Sequence, residues 1–459
     1  MNLGALNIKK AYLGTKELTR NNAFVGIKPL LDDNHNMLYF TSTGVSSIGL
    51  SKLSTGQTID YSFDNETWLN MTTATTINLN DGDVVYMRGM LSSDNTYEDY
   101  TNFRMTGKIA ANGNCNYLWN YNDPDAPLKE FCGCYMFYSC TSLTTTPELP
   151  ATTLATACYG FMFYSCTSLT TVPTLPATEL TEGCYYGMFG ECTSLITTTP
   201  ELPATTLAEY CYSAMFAECT SLTAAPELPA TTLAEACYAG MFAECTSLTT
   251  PPELPATELT KDCYAEMFTE CTSLTAAPTL PATMLVEGCY AYMFQGCTLL
   301  TTAPELPATT LATGCYSYMF GGCTSLTVSP ILSATTLAYG CYNAMFRDCT
   351  SLTSAPELPA TTLATRCYAS MFRDCTNLTT APELPATKLA EYCYNSMFYS
   401  CTNLNYIKCL ATDISATNCT SNWVDGVSST GTFVKSQDMT DWPIGVNGTP
   451  EGWMVEDAE

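Results

Sequence analysis

The sequence predicts a repeat solenoid set between an N-terminal β-rich domain and a C-terminal cap. Three observations predict it. The pattern C-Y-x-x-M-F-x-x-C-T-S-L-T-x-x-P-E-L-P-A-T-x-L recurs from Cys132 to Cys401 with almost no break. Its second cysteines fall at Cys140, Cys166, Cys192, Cys219, Cys245, Cys271, Cys297, Cys323, Cys349, Cys375 and Cys401, so each step is 26 residues except one of 27 between Cys192 and Cys219. Units of this length are single supersecondary elements that bury their apolar faces only by stacking on their neighbours. Function is therefore expected on a long surface.

The residues before the repeat read as short antiparallel strands. Thr58 to Phe63 and Thr76 to Leu79 alternate polar and apolar, and Val84 to Arg88 follows the turn signal Asn80-Asp81-Gly82-Asp83. A β-sandwich-like domain over 31–128, with Trp68 in its core, is the predicted assembly. The solenoid occupies 131–404. In each repeat, a stretch such as Cys315 to Cys323 has apolar residues at helix-like separations and predicts a short helical turn. The following Leu326 to Leu332 predicts a short strand, kept brief by Pro330, which cannot donate to a ladder. Residues 405–459 form the cap, because a solenoid end exposes core that must be covered. Cys419 holds a first-cysteine position there, and Trp423, Trp442 and Trp453 are its expected cap residues.

Charge and composition exclude several functions. With 44 acidic and 17 basic residues the formal charge is −27, which opposes binding to a phosphate backbone. No apolar run has membrane-spanning length. The lysines of the opening Met1 to Lys10 follow its short apolar stretch, the reverse of a secretory signal, so synthesis in a cytoplasm without the usual export route is expected.

Of the 26 cysteines, those of the repeat pair at eight-residue separations, which match no zinc spacing, and the single histidine, His35, lies outside the repeat. No metal and no cofactor are expected. The two cysteine columns read as buried reduced thiols, with Cys115, Cys134 and Cys409, outside them, as the candidates for oxidation. The tyrosines from Tyr159 to Tyr394 and the Met-Phe pairs after them read as core ladders. The column Glu148, Glu201, Glu227, Glu253, Glu305, Glu357 and Glu383 reads as solvated acids. No Ser-His or Cys-His arrangement and no phosphate-binding loop is present in the repeat, so no catalytic residue is assigned and the protein is read as a non-enzyme.

Positions that differ between near-copied repeats are the ones that the packing scaffold leaves free. The pair before each second cysteine changes along the chain, from Tyr138-Ser139 and Tyr164-Ser165 through Glu-bearing members to Arg347-Asp348, Arg373-Asp374 and Tyr399-Ser400. The pair after the column tyrosine varies too, with Phe161, Tyr186, Tyr292 and Tyr318 as its large members. Aromatic and arginine residues suit contact surfaces, so Tyr138, Tyr164, Arg347, Arg373 and Tyr399 are the candidate binding residues.

The motif C-Y-x-x-M-F-x-x-C-T-S-L-T-x-x-P-x-L resembles the BspA-like leucine-rich repeats over residues 131–404, and the β-rich region resembles the domain that often precedes them. The resemblance implies a leucine-rich-repeat-like fold with a binding role. It departs from the family at Pro-Glu-Leu-Pro-Ala-Thr, where relatives carry a plainer hydrophobic strand. The opening Ile8 to Leu18 is similar to a segment at the start of bacteriophage virion and tail-fibre proteins. That similarity implies a virion-attachment segment over 1–30, with Ile8, Tyr12, Leu13, Gly14 and Leu18 as its residues. The expected function is then a tail-fibre or virion-surface protein, held to other virion proteins by its N-terminus and contacting a host-surface glycan or protein. A bacterial cell-surface adhesin of BspA type is the alternative, and a spacer or decoration protein without a receptor is the second. Oligomeric state, trimer included, is left open by the sequence.

Overall fold

The computed structural model describes residues 36–91, 96–196, 199–440 and 442–459. Among the described residues ten strands and one short helix follow in chain order: β1 Tyr39–Lys52, β2 Thr58–Ser62, β3 Leu69–Met71, β4 Thr76–Leu79, β5 Val84–Met90, β6 Asn102–Asn112, α1 Asn116–Trp119, β7 Leu143–Thr145, β8 Tyr406–Cys409, β9 Thr432–Lys435 and β10 Met454–Asp457. Strands β1 to β7 belong to one hydrogen-bonded sheet of order β3-β2-β5-β1-β6-β7, with β4 also on β1. The long β1 pairs with β5 through Tyr39 to Thr41 and with β4 through Ser46 to Gly49. Along its length β1 thus changes partner from β5 to β4 within one hydrogen-bonded sheet. Trp68 is not in its core: it is partly exposed, with the Arg88 guanidinium 4.1 Å from its ring centre. Phe40, Ile48, Leu50, Ile59, Ile77, Val85 and Met87 fill that core instead.

The repeat segment expected to be helical is a column of successive turns. In the unit from Ala157 to Cys166, Cys158, Gly160, Met162, Tyr164 and Cys166 close turns onto the carbonyl three residues back. The residues between them, Ala157, Tyr159, Phe161, Phe163 and Ser165, donate to Glu182, Cys184, Tyr186, Met188 and Gly190 in the following unit at 2.7–3.0 Å. No N–H in this stretch is left over, and half of them hold one rung to the next. The alternation needs a left-handed backbone at every fourth residue, seen at Ala157, Phe161 and Ser165 with φ of 49°, 53° and 59°. Every later unit through Asn418 and Asn422 repeats it. The apolar residues obey the same period of four: Cys158 and Tyr159, then Met162 and Phe163, then Cys166, all buried.

Stacking these units builds continuous ladders. Phe137 through Phe398 stack ring on ring at 5.4–5.8 Å, and Tyr159 through Tyr394 do so at 5.8–6.2 Å. Full burial of a ring of this size contributes about 1.5–3 kcal/mol, repeated at every rung. Beyond the first unit, where β7 forms, the expected strand is reduced to isolated parallel bridges such as Ala224 to Thr250 and Thr302 to Val328. The Pro-x-x-Pro spacing explains this, since each proline removes a donor. Where Tyr406 to Cys409 replaces it without proline, a four-residue strand forms.

Both ends of the stack are closed by residues from outside the repeat. On the N-terminal side β6 pairs in parallel with β7, and Phe103 extends the phenylalanine ladder, 5.2 Å from Phe137 and within 15° of parallel. Gly133 stands at the tyrosine position of the first unit, and the Trp119 ring lies there instead: a Cβ on Gly133 would sit 3.2 Å from it and 3.1 Å from the Tyr159 ring. At the other end β8, β9 and β10 form a parallel sheet. Trp423 is fully buried between Tyr394 and Trp442, its indole N–H on the Gly448 carbonyl at 2.8 Å. Trp453 donates to Ser428 at 2.7 Å.

The thiols have a specific place in this scheme. Each second-column thiol, from Cys140 to Cys401, donates to a phenylalanine carbonyl of the preceding rung at 2.9–3.3 Å. The Phe163 carbonyl, for example, accepts both the Cys166 N–H and the Cys192 thiol. Cys115, Cys134 and Cys409 do not differ from the columns in access: all three are buried. Burial raises the Cys115 thiol well above its ordinary value and pushes Cys134 and Cys409 up to about 12, so none is poised as a reactive thiolate. Thiol labelling of the native protein at neutral pH should therefore modify almost none of the 26 cysteines, and labelling after unfolding should modify nearly all. Rapid native labelling of Cys115, Cys134 or Cys409 would contradict this burial.

Candidate functional site: the variable stripe

The residues before each second cysteine lie on one hydrogen-bonded line. The N–H groups of Ser139, Ser165, Glu191, Glu218, Glu244, Glu270, Gly296, Gly322, Asp348, Asp374 and Ser400 each donate to the adjacent rung at 2.6–2.8 Å, reaching Tyr164 at one end and Asp425 at the other. All eleven have a left-handed backbone, φ between 57° and 75°. Serine, glutamate, aspartate and glycine occupy this column, and the position before it carries the large side chains. The stripe varies in side chain because its order comes from backbone groups.

Three chemistries follow one another along it. Nearest the β-rich domain is an aromatic patch. Tyr138 and Tyr164 stack at 5.5 Å within 6° of parallel, and Tyr135 and Phe161 at 5.1 Å within 3°. Tyr97, Tyr100, Phe131 and Tyr186 pack edge-on or tilted around them. The patch ends on two glycines: a Cβ would meet the Phe161 ring at 2.8 Å on Gly187 and the Tyr164 ring at 2.5 Å on Gly190. The Tyr164 hydroxyl donates to Glu191 at 2.8 Å, and burial with that carboxylate raises its pKa.

The middle of the stripe is acidic. Glu191, Glu218, Glu244 and Glu270 follow rung by rung, and Glu218 is raised above the ordinary carboxylate value by desolvation and then by Glu244 and Glu191. Toward the cap the stripe becomes basic and aromatic. Arg347 and Arg373 pair with their neighbours Asp348 and Asp374 at 3.2 and 3.1 Å, and the Arg373 guanidinium lies 4.6 Å from the Tyr399 ring centre. Arg366 repeats that contact over Tyr392 at 4.9 Å.

The structure thus brings Tyr138 together with Tyr164, and Arg373 with Arg347 and Tyr399, but holds the two sets apart by the rungs of Gly190, Ala217, Ala243, Thr269, Gln295 and Gly321. Sequence reasoning missed Tyr135, Phe131, Arg366 and Tyr392. Their signal was present: a bulky residue at a position where other repeats carry Gly, Ala or Ser. Ile8, Tyr12, Leu13, Gly14 and Leu18 lie outside the described residues. The Glu148 to Glu383 column is exposed, with Glu383 paired to Lys408 at 3.0 Å. Among the described residues no cluster of His, Cys, Asp or Glu is placed to hold a metal ion, and no helix is long and apolar enough to cross a membrane.

The family model described as the BspA type leucine rich repeat region (6 copies) matches residues 128–249, 238–379 and 314–422. The chain belongs to the BspA-type leucine-rich repeat family. Family repeats therefore run from the last residues of the β-rich region into the cap. No curated protein matches the chain. Among solved structures it is similar to a leucine-rich repeat protein from Eubacterium ventriosum ATCC 27560, with 15% identity over 74% of this chain and 91% of that one and a TM-score of 0.30.

The raised Glu218 carboxyl gives the stripe a pH signature. A group whose folded pKa lies above its unfolded value contributes stability that is full below the unfolded value and is lost as pH rises through the folded one. Glu218→Gln, which keeps the backbone demand but cannot ionise, should melt above the parent at pH 7, by less than about 1 kcal/mol because the stripe is solvent-screened. The two should converge below the ordinary glutamate pKa of 4.5. Equal melting at both pH values would remove the acidic repulsion from the account.

Proposed function

We propose that this member of the family is a non-enzymatic adhesive protein whose repeat solenoid holds the variable stripe rigid against a cell surface. The observation that carries the reading is the backbone ladder beneath the stripe: side chains above it change from aromatic to acidic to arginine-rich while the scaffold stays constant. Such a surface exchanges contact residues without refolding. Its cap-proximal set, with Arg373 over Tyr399, has the composition of a contact centre.

Two settings fit this function. In the first the protein is part of a bacteriophage tail fibre or virion surface, joined to other virion proteins through residues 1–30 and touching the host at the distal end. In the second it is a bacterial cell-surface adhesin, the setting that family membership favours as strongly. Replacing Arg347, Arg373 and Tyr399 together by alanine should lower attachment to target cells by about tenfold or more, as truncating contact-centre residues does, while circular dichroism and melting stay near the parent. Full attachment by a well-folded triple variant would move the contact away from the stripe.

A further inference from the structure

The aromatic patch at the head of the stripe carries rings where the fold asks for none. Phe131, Tyr135 and Phe161 stand at left-handed positions, with φ of 55°, 57° and 53°, a conformation that strains a bulky side chain and not glycine. Later rungs place Gly183, Gly187, Gly240, Gly288, Gly314 and Gly340 at the same two positions. The loop before the first rung enlarges the cluster: Tyr97 meets Phe131 edge-on at 4.7 Å, and Tyr100 lies 4.8 Å from Tyr135. These rings form no closed core. Tyr97 is 52% exposed and Tyr138 37%, and Phe131, Tyr135, Phe161 and Tyr164 are all partly exposed. An exposed apolar patch kept in place against backbone strain points to a contact with another molecule.

The surroundings of the patch are acidic. Glu98 and Asp99 lie between its two loop tyrosines and Glu130 precedes Phe131, while Glu191 accepts from the Tyr164 hydroxyl at 2.8 Å. Glu182 stands near Tyr97, whose pKa is raised by burial first and then by Cys134, Tyr186 and Glu182. The basic groups beside the patch are Lys52 and Lys129, and Lys52 already sets its ammonium 4.0 Å from the Tyr100 ring centre. We propose that the patch docks a basic segment of a partner protein, with arginine side chains laid on Tyr97 and Tyr138 and their N–H groups directed at the acidic rim. A guanidinium is flat, stacks on a ring and keeps its in-plane donors for carboxylates, so one side chain answers both features. The other end of the stripe holds this contact complete within the chain: Arg373 lies 4.6 Å from the Tyr399 ring centre and pairs with Asp374 at 3.1 Å. The described arginines that stack on rings lie over Trp68, Tyr121, Tyr392 and Tyr399, none of them in the head patch. The formal charge of −27 draws a basic partner in from a distance, and the rings give the encounter one place to settle. The site goes beyond the cap-proximal contact set, with which it shares no residue.

The test titrates the full chain by calorimetry with an acetylated and amidated peptide of alternating glycine and arginine, and with the matching citrulline peptide, which keeps the shape and loses the charge. Salt is held at about 150 mM, where diffuse attraction between exposed charges is largely screened. The arginine peptide should bind saturably, and the citrulline peptide about tenfold or more weakly. Tyr97→Ser combined with Tyr138→Ser, which removes the two most exposed rings, should weaken the arginine peptide about tenfold while melting stays near the parent. Glu182→Lys keeps every ring and reverses one rim charge, so it should weaken binding too and leaves the proposal testable should the double variant fail to fold. Glu305→Lys, the same charge change on an exposed residue far along the rod, should leave binding as in the parent. No binding of the arginine peptide, equal binding of the citrulline peptide, equal losses in Glu182→Lys and Glu305→Lys, or full binding by a folded double variant would each overturn the site. None of these results touches the attachment defect expected of the Arg347, Arg373 and Tyr399 variant, so the two readings fail separately.

Discussion

The repeat region depends on one interaction: the backbone hydrogen bond that alternate residues of each turn column donate to the next rung. A column in which every second N–H leaves the unit cannot satisfy itself alone, so an isolated repeat has no stable form. The same alternation dictates a left-handed residue at every fourth position. It also dictates that buried side chains come in pairs spaced by four, which is why Cys-Tyr, Met-Phe and the second cysteine recur without drift. The ladders of Tyr159 to Tyr394 and Phe137 to Phe398 are consequences of that register.

The choice of cysteine follows from the same constraint. A phenylalanine carbonyl in each rung accepts the N–H of its own second cysteine and also faces the next rung, where the thiol meets it. Alanine would fill much of the space but leave that direction unanswered, and serine would place a more strongly hydrated group in a fully apolar column. Burial keeps these thiols protonated, which suits a core function and opposes disulfide exchange. The end caps work alike. Phe103 continues the phenylalanine ladder backward into the β-rich domain, the Trp119 ring fills the space beside Gly133 and Trp423 ends both ladders forward, so one apolar core crosses the boundary near residue 128 and runs to Trp453.

The repeat length, the ladder residues and the cap tryptophans Trp423 and Trp453 were legible in the sequence, because stacking forces each rung to present the same packing surface. The turn column was not. Over the nine residues from Cys158 to Cys166, apolar positions at i, i+1, i+4, i+5 and i+8 fit one face of a helix nearly as well as a period of four, and only the aligned scatter of Gly, Asn, Asp and Ser at positions such as Gly183, Gly187 and Asp348 separates the two. The strand over Leu326 to Leu332 was over-read because Pro330, which removes a ladder donor, was given too little weight. Trp68 was misplaced because a tryptophan near strands suggests a core, whereas Arg88 holds it at the surface. Of the candidate site, variation picked out the stripe and its large members. It could not show that Tyr97 and Tyr100, distant in sequence, complete the aromatic patch.

The central claim is tested most directly by the hydrogen-bond partner of one amide in the turn column. Couplings across hydrogen bonds in a deuterated sample report which carbonyl the Phe163 N–H contacts. The account predicts a correlation to the Met188 carbonyl, in the next rung, with Met162 bonded back to Tyr159. A correlation from Phe163 to the Tyr159 carbonyl, four residues back as in an α-helix, would contradict it.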